Sequence, residues 1–289
     1  MLLLACDGAV TVPALAWLAR HGVPVLLLDR RGNLAAAFDA VGGAGLNFEL
    51  SARLARLTQA QQVTIARGLI YRKLGEQIAT LESFPSSVAR YVAVSRIESN
   101  QKALDVTKSI DAIRVIEARA AAAYFRLWQR LPLKWKGLGS RPVPAEWLSI
   151  GLRSSALGHS NRNSAHPVMS MLNYAYAVLQ SQVSIACASS GLDSTAGILH
   201  ARRPPRPALV FDLMEPLRPV IDRELLRFIE SHVFARSDFP IGDDGVVRLH
   251  PQLARAVASL KVAPQVVANV AKNFVADGGH CGQANHFGV

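Results

Sequence analysis

Cysteine is scarce in this 289-residue chain: Cys6, Cys187 and Cys281 are the only three, far apart and without CxxC spacing. An odd, scattered set excludes a disulfide framework and a zinc ribbon as organising devices, and fits a reducing cytoplasm. Charge is sparse as well, at 18% of residues, and acids are the scarcer sign, 21 against 32 lysines and arginines. Half the residues are hydrophobic, which excludes the polar bias of a disordered chain and supplies ample apolar surface for a compact fold. The net charge of +11 favours a polyanionic partner, nucleic acid or an acidic membrane surface. A secretory leader is not expected, since MLLLACDGAV has no basic n-region and Asp7 interrupts its apolar run. Residues 167–192 carry no charged side chain and are long enough to span a bilayer. Asn173, Gln180, Gln182 and a series of serines interrupt that run, so the expectation is a buried helix of a soluble, cytoplasmic protein with no membrane role.

Periodicity divides the chain. The first fifty residues read as a small β-rich unit: LLLAC as a strand, VPALAWLARHG as a short helix, VPVLLLD as a strand, a turn at RRGN, then LAAAF as a strand. From Ser51 the period becomes helical, and ARLARLTQAQQVTIARGLIYRKLGEQIATLE predicts one long amphipathic helix ended before Pro85. Further helical patterns cover Val88 to Val106, Ile110 to Gln129, Pro167 to Ala188 and Arg218 to Val233. Residues 131–165, rich in Pro, Gly, Ser and basic side chains, predict a long surface excursion. The tail DGGHCGQANHFGV has little apolar pattern and reads as loose.

Two acidic features stand out. On a helix, Ile113, Ala120, Tyr124 and Trp128 share one face with Glu117 in its middle, while Arg119 and Arg126 point away. A carboxylate facing the core needs a partner, whether an arginine, a hydrogen-bond network or a metal. The second feature is the run GLDSTAGILHARRPPRPALVFDLMEPLRPVID. Asp193 or Ser194 is a natural cap for a short helix ending near His200. Asp212 and Glu215, three residues apart among apolar neighbours, share a face in a helical turn. Pro216 disfavours the α conformation at Glu215, so these acids are expected where a helix begins. One histidine and several carboxylates from separated segments form a mixed N/O set suited to Mg2+ or Mn2+.

The segments GAVTVPALAWLARHGVPVLLLDRRGN, IEARAAAAYF, AHPVMSMLNYAYAVL, GLDSTAGILH and PALVFDLMEPLRPVID, in this order over nearly the whole chain, resemble the CRISPR-associated protein one family. The resemblance implies an α+β fold: a small N-terminal β-rich dimerisation domain at residues 1–52, incomplete because family members usually have several more strands before the point matching Met1, and a larger, mainly α-helical catalytic domain at residues 53–289. It implies metal ligation by Glu117, His200 and Glu215, with Asp212 as a supporting acid. It implies DNA strand transfer joining new spacers at a CRISPR repeat, on double-stranded and branched DNA, by a homodimer working with a small ferredoxin-like adaptation partner. The helix after Pro167 departs from the family in carrying Met169 where Asn is usual. Arg202, Arg203 and Arg206, with Lys134, Lys136 and Arg141, are candidate phosphate contacts. Two other functions remain open on the sequence: a transposon-borne integrase of the same family, and a catalytically silent DNA-binding scaffold.

Overall fold

The computed structural model describes residues 2–4, 8–21, 23, 25–28, 34–38, 52, 54–151, 164–201, 207–260 and 262–279. Its N-terminal part is a three-stranded sheet in the order β1 (Leu2–Leu4), β2 (Val25–Leu28), β3 (Leu34–Phe38). β1 runs parallel to β2 with Leu2 opposite Val25. A parallel pair needs a crossover of about a dozen residues or more, and α1 (Val12–Arg20) supplies it, capped by the Thr11 hydroxyl accepting from the Ala14 amide. β3 returns antiparallel to β2. These elements match the strand–helix–strand–strand order read from periodicity; the RRGN turn and the expected boundary near residue 52 fall at or beside residues outside those described.

The long helix expected from residue 52 does not run through. α2 spans Gln59–Glu82 and begins at a capping box: the Thr58 hydroxyl accepts from the Gln61 amide, and the Gln61 side chain accepts from the Thr58 amide. That reciprocal cap satisfies two amides that a continuous helix would bond internally, and so sets the start. Pro85 follows two residues after the Ser83 cap, as expected. α3 (Val88–Leu104) and α4 (Ile110–Trp128), each capped by a serine hydroxyl, pack with α2 as a three-helix layer. On α4, Ile113, Ala120, Tyr124 and Trp128 are buried and Arg119 and Arg126 exposed, so the predicted face is the observed one.

α5 (Pro167–Ser189) is the central helix, packed against β3, α6 (Ala208–Met214), α7 (Arg218–Ser231), α8 (Pro251–Ser259) and α9 (Pro264–Gly279). Its apolar residues are buried around most of its circumference, and Ser181 and Ser184 return their hydroxyls to carbonyls one turn back. This is the chargeless run of membrane length. Among the described residues no helix is long and apolar enough to cross a membrane. Met169 is buried in its first turn, where a thioether fills space that an asparagine would have to leave with polar partners.

The described part of the 131–165 stretch is exposed over residues 136–142, as a surface excursion would be, and is strapped to the core on either side of them. β4 (Lys134–Trp135) pairs in parallel with β5 (Val233–Phe234). Trp147 is 1% exposed and sits in a ring cluster with Trp135, Phe234 and Phe239, under the Arg236 guanidinium. Aromatic burial of this size outweighs the turn-rich composition around it. α6, α8 and α9 are not among the helices expected from the sequence; α9 extends to Gly279, into the segment read as loose.

Candidate functional site

The site is built where α2, α4 and the α6–α7 junction meet. Pro216 shapes that junction. In a continuous helix the amide of residue 216 would bond the Asp212 carbonyl; proline has no amide hydrogen, and the Glu215 amide takes that carbonyl instead. The result is one 3-10 turn, Glu215–Leu217, between α6 and α7. Glu215 itself adopts the right-handed α conformation (φ −55°, ψ −49°) despite the following proline, so it stands between two helices and not at the start of one.

Glu117 and Glu215 meet on a single cation that the sequence reading missed. The Lys73 ammonium donates to Glu117 Oε1 at 2.5 Å and to Glu215 Oε2 at 2.5 Å, which brings those two oxygens to at most twice that distance from each other. The side chains are 10%, 25% and 6% exposed for Lys73, Glu117 and Glu215, so the opening of the cluster lies on the Glu117 side. The other Glu215 oxygen, Oε1, accepts from Arg218 Nε at 3.1 Å. Burial by itself pushes the Glu215 carboxyl up, but Lys73 and Arg218, with His200 adding, outweigh it and hold the group at about 2. Burial likewise pulls the Lys73 ammonium down, and the Glu215 and Glu117 carboxylates more than restore it. Removing one member of such a buried set leaves the others uncompensated, which costs about 3–5 kcal/mol in comparable pairs.

Behind Arg218 lies a second buried acid. The guanidinium stacks 4.7 Å over the Tyr176 ring, and Asp222, one turn further along α7, accepts from the Tyr176 hydroxyl at 2.7 Å and the Tyr124 hydroxyl at 3.1 Å. Burial raises the Asp222 carboxyl to about 7, against the opposing pull of the two phenols and Arg218.

His200 is presented by a loop, since residues 193–200 form turns and bends in place of the expected short helix. Asp193 does cap locally, its Oδ1 accepting from the Thr195 amide and hydroxyl, but the chain then turns to meet Asp212. That fully buried carboxylate accepts from the Ile198 amide at 2.5 Å and the Leu199 amide at 3.0 Å on one oxygen. On the other it accepts from the His200 amide at 2.9 Å and the His200 Nδ1 at 2.7 Å. Arg114, one turn before Glu117, donates to the Leu199 carbonyl and ties the loop to α4. A proton on Nδ1, donated to Asp212, leaves Nε2 with its lone pair, the form in which imidazole ligates metals.

The four predicted site residues are therefore neighbours in two linked sets, Glu117 with Glu215 and His200 with Asp212. Among the described residues no three His, Cys, Asp or Glu side chains stand close enough to share one ion. The donor set still suits a divalent cation: two carboxylate oxygens converge on one positive centre, with an oriented imidazole near Glu215. Of the phosphate candidates, Lys134 donates to the Glu230 carbonyl, and Lys136 and Arg141 are exposed beyond it; none of the three bonds to Glu117, His200 or Glu215. Arg202, Arg203 and Arg206 lie outside the described residues.

The family model described as "CRISPR associated protein Cas1" matches residues 2–260. A protein from Rhodospirillum rubrum named CRISPR-associated endonuclease Cas1 2 is 30% identical over 253 residues, which cover 83% of this chain and 68% of the relative. A CRISPR-associated endonuclease Cas1 1 from Methanospirillum hungatei is 27% identical, covering 85% and 69%. In fold, the chain is similar to a CAS1 protein from Thermotoga maritima (TM-score 0.72, 16% identity, 94% of this chain and 85% of that one). It is also similar to a casposase bound to integration product (TM-score 0.70, 23% identity, 93% and 76%). The motif order, the helical layer and these matches agree: this chain belongs to the CRISPR associated protein Cas1 family.

Proposed function

We propose that this protein is a divalent-metal-dependent endonuclease and integrase of CRISPR adaptation, which joins DNA at a repeat through attack of a 3′-hydroxyl on a phosphodiester. The observation that carries the reading is the convergence of Glu117, on α4, and Glu215, at the α6–α7 junction, on one buried cation position, with a histidine nearby whose tautomer Asp212 sets. Relatives named CRISPR-associated endonucleases support the reaction class, and their CRISPR names favour spacer joining over insertion of a mobile element. Complexes whose titles name Cas1 and Cas2 share the fold and support a partner protein, and a casposase bound to integration product supports DNA as what is bound; the proposed working unit adds a second copy of this chain.

Glu117, Glu215 and the Nε2 of His200 would hold the ion, Mg2+ or Mn2+, which when bound polarises the phosphate and stabilises its developing charge. The chain's own residues do the positioning. Asp212 anchors the imidazole through Nδ1, Arg218 fixes the Glu215 carboxylate, and Arg114 holds the His200 loop against the helix that bears Glu117. Direct transesterification needs no covalent enzyme intermediate, and none of these groups is asked to act as a nucleophile. The test is strand transfer and disintegration on branched DNA with Mn2+ or Mg2+, comparing wild type with Glu117→Ala, His200→Ala and Glu215→Ala. Metal-dependent joining lost in all three establishes the site. Joining that survives moves the ion elsewhere, and a folded, DNA-binding wild type without activity makes the protein a scaffold.

A further inference from the structure

The Lys73 ammonium stands where two carboxylates point, and nothing else among the described residues bonds to it. Its nitrogen is 2.5 Å from Glu117 Oε1 and 2.5 Å from Glu215 Oε2. Oxygen ligands surround Mg2+ and Ca2+ at about 2.0–2.6 Å, so an ion bridging these same two oxygens would coincide with that nitrogen to within a few tenths of an ångström. The ammonium and the ion exclude one another.

Charge leads to the same place. Lys73 and Arg218 already balance Glu117 and Glu215, so an entering divalent ion meets a neutral cluster unless one cation leaves. Arg218 is held on two sides, by Glu215 and by the Tyr176 ring. Lys73 has only the two carboxylates, on a flexible four-carbon stem. It also has somewhere to go. Gln77 lies one turn further along α2 on the same buried face, 2% exposed, and its Oε1 has no hydrogen-bond partner among the described residues. Residues four apart on a helix are within side-chain reach, and an orphaned buried carbonyl is a costly group to leave unbonded.

We infer that Lys73 is a resident stand-in for the divalent ion, holding Glu117 and Glu215 assembled in the metal-free protein and withdrawing toward Gln77 when metal binds. The inference rests on the metal-dependent reading above. It makes Lys73 a positioning residue that sets metal affinity by competition, and the coupling is reciprocal: whatever the ammonium adds to metal-free stability it subtracts from metal binding.

The experiment measures Mn2+ affinity by calorimetry and thermal unfolding in EDTA and in Mn2+, for wild type, Lys73→Met, Lys73→Arg and Gln77→Leu. Loss of a unit charge a few ångströms from the ion is a large electrostatic change. Lys73→Met should therefore bind Mn2+ about tenfold tighter or more, melt lower than wild type in EDTA, and gain more from Mn2+. Lys73→Arg, which retains a cation, should stay within a few-fold of wild type. Gln77→Leu should melt no lower in EDTA and bind Mn2+ several-fold more weakly, because the displaced ammonium loses its acceptor. A Lys73→Met protein that folds only with Mn2+ supports the inference; if it folds in neither condition, Lys73→Gln, which keeps one hydrogen bond to a carboxylate, carries the same expectation. Folded Lys73→Met that binds Mn2+ no tighter than wild type overturns the stand-in role, and unchanged affinity in Gln77→Leu overturns Gln77 as the destination. Wild type that binds no Mn2+, or binds it equally after Glu117→Gln and Glu215→Gln, overturns the metal-dependent reading itself and the inference with it.

Discussion

Asp212 receives both the backbone amide and the ring Nδ1 of His200 on the same carboxylate oxygen, at 2.9 and 2.7 Å. One buried acid thus fixes where the histidine is and which of its nitrogens is free.

Asp212→Asn replaces one accepting oxygen by an NH2 that faces other N–H donors, and is expected to lower stability as well as to reduce joining activity about 10–100-fold, the usual cost of losing a group that orients a metal-ligating imidazole. Asp212→Ala strips the acceptor from three backbone amides as well, and should lower stability by on the order of 3 kcal/mol, given ~1–3 kcal/mol per orphaned buried group. Urea unfolding beside a strand-transfer assay separates the two effects, and an Asp212→Asn protein of full activity would refute the orienting role.

Asp222 makes stability depend on pH in a particular direction. Its native carboxyl is raised by burial from 3.8 to about 7, so between those values the folded state holds a proton that the unfolded state has released. The stabilisation is complete below the unfolded value and is lost as pH climbs toward about 7. Subtracting the unfolding free energy of Asp222→Asn from that of wild type at each pH should give a difference that falls from near pH 4 to about pH 7 and is flat above. A difference that rises with pH would contradict the assignment.

Gly197 is required by a close approach. A Cβ there would come 2.5 Å from the Ala208 Cβ and 2.6 Å from the His200 carbonyl oxygen, backbone and short side chains that cannot swing aside. Gly197→Ala should push the His200 loop off α6 and reduce joining more than it reduces the melting temperature. Faster amide exchange at Ile198 and Leu199 would be its signature, since those amides bond to Asp212.

Trp147→Ala should cost about 3–5 kcal/mol, as large aromatic-to-alanine changes in cores do, whereas Leu148→Ala, 45% exposed, should stay within about 0.5 kcal/mol. Chemical denaturation of both variants tells a packed strap from a surface loop.

Local pattern made much of this legible. The helices α3, α4, α5 and α7 follow from apolar periodicity, and Glu117 was visible because a carboxylate in an apolar stripe needs a partner. The same test applied to α2 finds that partner: Lys73 lies among Val63, Ala66, Ile70, Leu74 and Leu81, all buried. The capping box at Thr58 and Gln61 was also in the sequence, concealed by an apolar period that continues across it. What could not be read is non-local. That Asp212 would reach back to the amides of Ile198 and Leu199, or that Lys134–Trp135 would pair with Val233–Phe234, depends on chain segments meeting only after the core has formed.

The uncharged helix α5 has a consequence during synthesis. Of the described elements that α5 packs against most closely, β3 precedes it and α6, α7, α8 and α9 follow, the last ending at Gly279. At ribosomal speeds of about 5–20 residues per second, its apolar surface emerges on the order of ten seconds before the chain that covers it is complete. The newborn protein therefore passes through an interval in which its most greasy segment is on display, and the quality of its production in a cell will depend on what shields α5 while the rest is being made.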